Sequence, residues 1–109
     1  FWQPEHVLAA ATINGARAMG LDAEIGSLKV GKKADLVMFD LRKAHLTPAT
    51  SALGALTHAG QGGDVAHVLV DGRAVIEDGR STQVDEEEIR REAAAACKRL
   101  WQKARAAAA

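Results

Sequence analysis

Four histidines and one cysteine are the side chains best suited to bind a metal ion, and the sequence spreads them widely. No His-x-His, His-Glu-x-x-His or Pro-Cys-x-x-Cys pattern is present, and these are the spacings that bring ligands onto one metal. The histidines are therefore expected to be surface or hydrogen-bonded structural residues, and the cysteine a small core residue with nothing nearby to activate its thiol. The five residues are His6, His45, His58, His67 and Cys97.

A second candidate for chemistry is the run Gly26–Lys33, GSLKVGKK, which nearly matches a phosphate-binding P-loop. The last position requires Ser or Thr to bind magnesium, and Lys33 stands there. The run also precedes a predicted strand, so no helix N-terminus is available to hold a phosphate. Asp35 has no partner carboxylate at a useful spacing, and we expect it to stabilise a turn. The sequence thus predicts no catalytic, cofactor-binding or metal-binding residue in this chain.

The bulk composition limits the remaining classes of function. The 109 residues suffice for one domain, and 14 basic residues balance 14 acidic ones, which argues against binding to nucleic acid or an anionic membrane. A single cysteine fits a reducing compartment, and no apolar run approaches the ~20 residues of a membrane span, so a cytoplasmic location is expected. Because the chain starts with Phe1 and Trp2, we expect it to be the tail of a longer protein.

Apolar periodicity and turn residues predict an α+β fold. It comprises an N-terminal helix, a small, mostly antiparallel sheet and a long C-terminal helix. The last helix begins at Asp85 with a capping-box variant that includes Glu88, and it carries an apolar stripe expected to be buried. The other predicted elements are a helix at Pro4–Met19 closed by Gly20, strands at Glu24–Val30 and Ala34–Leu41 (the latter buried on both faces), a weak helix at Pro48–His58, and strands Val65–Val70 and Arg73–Glu77 joined by a type I′ turn at Asp71-Gly72.

Several segments, taken in order, resemble the C-terminal end of the amidohydrolase superfamily of metal-dependent deaminases and C–N hydrolases. The branch they resemble contains adenosine-type deaminases, guanine deaminases and triazine hydrolases. Any one segment is weakly specific, but their order and spacing make chance agreement improbable. The segments are ATINGARAMG at 11–20, IGSL at 25–28, Gly31-Lys32, ADLV at 34–37, HLTP at 45–48, VDGR at 70–73 and DEEE at 85–88.

The resemblance implies a parent enzyme built from a (β/α)8 barrel and a β-sandwich composed of residues from before and after the barrel. Residues 1–21 would supply the last barrel helix, and residues 22–109 the C-terminal share of the sandwich with its closing helix. The family's divalent metal, zinc or iron, and its catalytic aspartate belong to barrel strands upstream, so none of their roles passes to a residue of this chain.

We therefore predict a non-catalytic C-terminal fragment of a metal-dependent amidohydrolase that acts on non-peptide C–N bonds. Its expected partners are the remainder of that enzyme or a second copy of itself. Two alternatives stay open: a free-standing α+β interaction module, and an accessory subunit that completes a barrel supplied by another chain. An upstream reading frame that encodes His-x-His would favour the fragment, and a gene that starts near Phe1 would favour the module.

Overall fold

The computed structural model describes residues 2–107 and opens with a continuous helical run. Helix α1 (Pro4–Ala9) leads into a π-helical turn (Ala10–Asn14) and then into α2 (Gly15–Ala18). Pro4 occupies the start of α1, where its missing N–H is harmless. The run ends as predicted at Gly20, whose φ of +71° permits the Leu21 amide to donate to the Ala16 carbonyl at 2.9 Å. The sequence therefore predicts this helix well, apart from its π-helical turn.

The predicted strand at Glu24–Val30 is wrong, because this segment folds into successive turns. The Leu21 carbonyl accepts hydrogen bonds from the amides of Glu24 and Ile25, at 2.9 and 3.0 Å. Gly26 has a φ of +81° and lies against the first helix, where a Cβ would come within 2.6 Å of the Ala16 Cβ. The apolar residues that suggest a strand here instead lie in a loop that packs on α2.

Four antiparallel strands form the sheet in the order β1-β2-β3-β4. Strands β2 (Val65–Val70) and β3 (Arg73–Glu77) have the predicted bounds, and the turn between them has positive φ at both Asp71 and Gly72, as a type I′ turn requires. Strand β1 (Leu36–Phe39) is shorter than predicted, and β4 (Arg80–Ser81) adds a short edge strand. The prediction that β1 is buried on both faces is wrong for this chain, since its residues from Val37 to Phe39 are exposed.

Between β1 and β2 lie α3 (Ala52–Ala59) and two single turns of 3-10 helix at Ala44–Leu46 and Gly62–Asp64. Helix α3 begins later than the predicted Pro48 and is capped by Ser51, whose hydroxyl oxygen accepts from the Gly54 amide at 2.9 Å. Helix α3 also contacts α1. These contacts hold the N-terminal helix beside the connection that leads into β2.

The closing helix α4 (Glu86–Ala107) is capped by Asp85, whose Oδ1 accepts from the amides of Glu87 and Glu88 at 2.9 and 3.0 Å. Glu87 pairs with Arg90 across three residues, rather than with Arg91 across four as its spacing suggests. The expected burial of the helix is wrong in this chain: every residue from 82 to 107, Cys97 included, is exposed.

Little of the apolar surface is buried. Among residues 2–107, the buried apolar side chains are Ala16 and Leu46, at 2% and 3% exposure, and the buried polar residue is Asp64 at 2%. Within the same range no helix combines the length and the apolar character needed to cross a bilayer. The fold therefore presents most of its large apolar side chains on its surface.

Candidate functional site

The most enclosed polar cluster is a histidine–aspartate pair that joins the two 3-10 turns. Asp64 Oδ2 accepts from His45 Nε2 at 2.9 Å and from the Gln61 amide at 2.8 Å. The hydrogen bond from His45, together with that from the Gln61 amide, lowers the pKa of the Asp64 carboxyl. The Asp64 carbonyl accepts from the Asp40 amide at 2.8 Å, which ties the end of β1 to the start of β2. The pair therefore fixes the connection around α3.

A carboxylate that orients an imidazole would form a hydrolytic triad only with a nucleophile beside the imidazole. Among the described residues, no serine, threonine or cysteine side chain hydrogen-bonds to His45. Its ring is partly open to solvent, but the free thiol of Cys97 belongs to the exposed closing helix. The geometry supports a structural role, in agreement with the sequence prediction for the histidines.

The other histidines lie on separate elements. The His6 Nδ1 accepts from the Gln3 amide at the start of α1, at 3.4 Å. His67 on β2 lies 3.7 Å from the exposed carboxylate of Asp78, and His58 is in the last turn of α3. Over residues 2–107 the structure brings together no group of three His, Cys, Asp or Glu side chains that could hold a metal ion. The described residues therefore do not fit the metal that the resemblance implies for the parent enzyme.

The lysines of the P-loop-like run interact with neighbouring residues of the same loop. The Lys32 ammonium donates to the carbonyls of Asp22 and Ile25, the latter at 3.0 Å. It therefore binds the backbone of the loop, where a P-loop lysine would bind a phosphate. Lys33 pairs with Glu24 at 2.7 Å, and this hydrogen bond and charge raise the pKa of the Lys33 ammonium. Strand β1 follows, with no helix N-terminus between. Both residues thus stabilise the turns after α2.

Asp35 has the turn role predicted for it, since its Oδ1 accepts from the Asp71 amide at 2.7 Å and so holds the β2–β3 turn. Asp64 was missed by the sequence reasoning. The signal available for it was its position three residues after Gln61, since an aspartate at that spacing commonly bonds a nearby backbone amide.

Exposed apolar side chains occur on several separate elements. Val37 and Met38 on β1 are about half exposed, and so are Val70 on β2 and Ile89 on α4, while Trp101 is more exposed still. Large apolar side chains left exposed in numbers favour contact with further protein. The arrangement is suited to contact with other protein rather than to bond-breaking chemistry.

The model of the amidohydrolase family matches residues 2–75, and the chain belongs to that family. It is 46% identical, over 87 residues, to a 5-methylthioadenosine/S-adenosylhomocysteine deaminase of Moorella thermoacetica, covering 79% of this chain and 20% of the relative. It is 42% identical, over 100 residues, to a 5′-deoxyadenosine deaminase of Methanosarcina acetivorans, covering 92% of this chain and 23% of the relative. The chain thus spans about a fifth of the length of these curated relatives.

Solved structures that superpose on this chain agree with the sequence matches. An adenosine deaminase from Xanthomonas campestris with bound zinc superposes on 93% of this chain and 22% of its own, with a TM-score of 0.76 and 33% identity. An atrazine chlorohydrolase from Arthrobacter aurescens complexed with zinc has a TM-score of 0.75 and 24% identity over 85% of this chain and 20% of its own, which supports the fold alone. The family and the α+β fold predicted from the sequence are both confirmed.

Proposed function

We propose that the chain forms the non-catalytic C-terminal part of a metal-dependent amidohydrolase that acts on non-peptide C–N bonds, as a deaminase or related hydrolase. The observation that carries this proposal is the extent of the alignments. Most of this chain aligns with a segment that makes up only about a fifth of each deaminase relative. The metal would be held by residues outside the chain, because the described residues offer no ligand set. The chain is proposed to be inert alone and to act in the cytoplasm.

The role proposed for the chain is to complete and cover the rest of the enzyme. Residues 1–21 would pack as the last helix of the barrel, and residues 22–109 would provide the C-terminal share of the sandwich and the closing helix. The exposed side chains of β1 support this role, because a strand with uncovered apolar residues and an open edge favours contact with further protein. Val37 and Met38 would then be buried by the remainder of the enzyme.

A complementation assay tests the proposal. The Xanthomonas campestris adenosine deaminase, shortened by the segment that superposes on this chain, is mixed with the full chain in the presence of zinc. Deamination of adenosine is then followed. We expect no activity from either component alone and measurable activity from the mixture. Deamination by this chain alone, or an undiminished rate from the shortened enzyme, would show that the chain has a different role.

Two variants that each introduce a glutamate identify the surface. Val37→Glu places a carboxylate on the exposed face of β1 and should abolish complementation, because an unpaired charge would be buried on assembly. Lys29→Glu changes an exposed loop residue and should leave complementation intact. Equal effects of the two variants would contradict the proposed contact. Independently, an upstream reading frame with a His-x-His motif supports the proposal, and a gene that starts near Phe1 supports the free-standing module.

A further inference from the structure

The closing helix α4 presents an uncovered apolar stripe along its whole length. Ile89 and Leu100 are 51% and 67% exposed, and the positions between them on the same face are small. A shallow groove beside the stripe is lined by residues that include Ile89, Glu92 and Arg99. At the 1.5 Å rise of an α-helix, the 22 residues of α4 extend about 33 Å. The stripe consists of Ile89, Ala93, Ala96, Cys97, Leu100 and Ala104.

Charge is segregated between the two halves of this helix. Residues 85–96 carry five carboxylates against two guanidinium groups, whereas residues 97–107 carry four cations and no carboxylate. A parallel neighbour of the same sequence would oppose like charges along both halves. An antiparallel neighbour would set the acidic half of one helix against the basic half of the other, and it would also oppose the two helix dipoles favourably.

We propose that two copies of this chain associate through α4, with the two helices antiparallel and their apolar stripes in contact. A second copy is the occupant that the charge pattern selects, because its basic half complements the acidic half of the first copy. The alanines of the stripe allow close approach of the two backbones. The midpoint of α4 lies between Ala96 and Cys97. A two-fold axis one residue before it, between Ala95 and Ala96, brings Cys97 to within about 4.5 Å of the partner's Cys97 along the helix axis.

The flanking charges fix the register. Glu92 and Arg99 border the same groove and are seven residues apart, which is about 10.5 Å along the axis. That separation exceeds the three or four residues over which side chains pair within one helix. About a two-fold axis between Ala95 and Ala96, however, Glu92 lies level with the partner's Arg99. An interaction between these positions therefore reports contact between copies.

Charge exchange at these two positions tests the pairing by sedimentation of the full chain under reducing conditions. Glu92→Arg gives a helix with arginine at both positions, and Arg99→Glu gives one with glutamate at both. The dissociation constant of the dimer is expected to be about tenfold or more higher for each variant alone than for the unmodified chain, since like charges then face each other. An equimolar mixture of the two variants is expected to recover the dimer, and so is the double variant.

Crosslinking tests whether the middle parts of the two helices are in contact, and the weakening by the single charge reversals tests their orientation. A short bismaleimide is expected to join the two copies through Cys97 in the unmodified chain and in the mixture of variants, but not in either variant alone at the same concentration. Both positions are exposed, so each variant is expected to keep its helix. Circular dichroism checks this. If the chain stays monomeric at all concentrations, or if neither charge reversal changes the dissociation constant of the dimer, the proposal is overturned. The inference does not depend on the deaminase assignment, whose test is the separate complementation assay.

Discussion

Gly26 offers a direct measurement of how tightly the loop after α2 packs on the first helix. An added Cβ at Gly26 would lie 2.6 Å from the Ala16 Cβ, 3.0 Å from the Ile13 Cα and 3.2 Å from the Thr12 carbonyl oxygen. Two of these three atoms belong to the backbone, so they cannot turn away as a flexible side chain could. Gly26→Ala therefore combines a steric clash with a positive φ.

The magnitude follows from these two effects. An alanine forced to φ +81° loses about 1–2 kcal/mol, and overpacking against the helix adds about 1–3 kcal/mol, so the expected loss in free energy of unfolding is roughly 2–5 kcal/mol. Gly31 provides the matched control, because it has a φ of +89° and no heavy atom within 4 Å of an added Cβ. Gly31→Ala should therefore lose only the conformational part, about 1–2 kcal/mol.

Urea unfolding followed by circular dichroism, at protein concentrations low enough to keep the chain monomeric, measures both losses. The double variant Ala16→Gly with Gly26→Ala should be less destabilised than the sum of its single variants, since the 2.6 Å contact no longer exists. Equal losses for Gly26→Ala and Gly31→Ala, without coupling to Ala16, would refute the reasoning and place the loop away from the helix.

Three further measurements test local features. Asp85→Ala removes the acceptor for two amides at the start of α4 and should lower stability by about 1 kcal/mol, whereas Asp85→Asn should keep most of the cap; equal losses would argue against capping. Hydrogen bonds from Arg42 lower the pKa of the Asp40 carboxyl to about 2. Because this value lies below the ordinary value near 3.9, the pairing stabilises the fold above about pH 4 and is lost as the pH falls toward 2. In an NMR titration Arg42→Ala should return the pKa of Asp40 toward its ordinary value, and an unchanged pKa would contradict the pairing. Metal analysis of the purified chain should find no stoichiometric zinc or iron; one tightly bound ion per chain would refute the prediction that this chain holds no ligand set.

The elements predicted correctly are those whose ends are set by nearby residues. Asp71-Gly72 determines the type I′ turn, so the ends of β2 and β3 follow from the local sequence. Gly20 and Asp85 likewise set a helix end and a helix start through bonds that span only a few residues. The family resemblance added the fold of the relatives, which periodicity alone does not provide.

The errors concern contacts between distant parts of the chain. The apolar residues Ile25, Leu28 and Val30 suggest a short strand, but a strand requires a partner, and the local pattern does not say whether one exists. Burial of α4 was inferred from its stripe, yet a stripe shows only that a helix has a face to cover and not what covers it. Asp64 was missed because its partner His45 is 19 residues away.

The π-helical turn at Ala10–Asn14 has a consequence for evolutionary comparison. Its backbone hydrogen bonds enclose one residue more than those of an α-helix, so the turn holds an extra residue without breaking the helix. The Thr12 hydroxyl donates to the Leu8 carbonyl at 2.6 Å beside it. A homologue with a single-residue deletion here could retain both flanking helical segments as an uninterrupted α-helix. Alignments across this segment should therefore tolerate a one-residue gap, which elsewhere in a helix would rotate everything beyond it by about 100°.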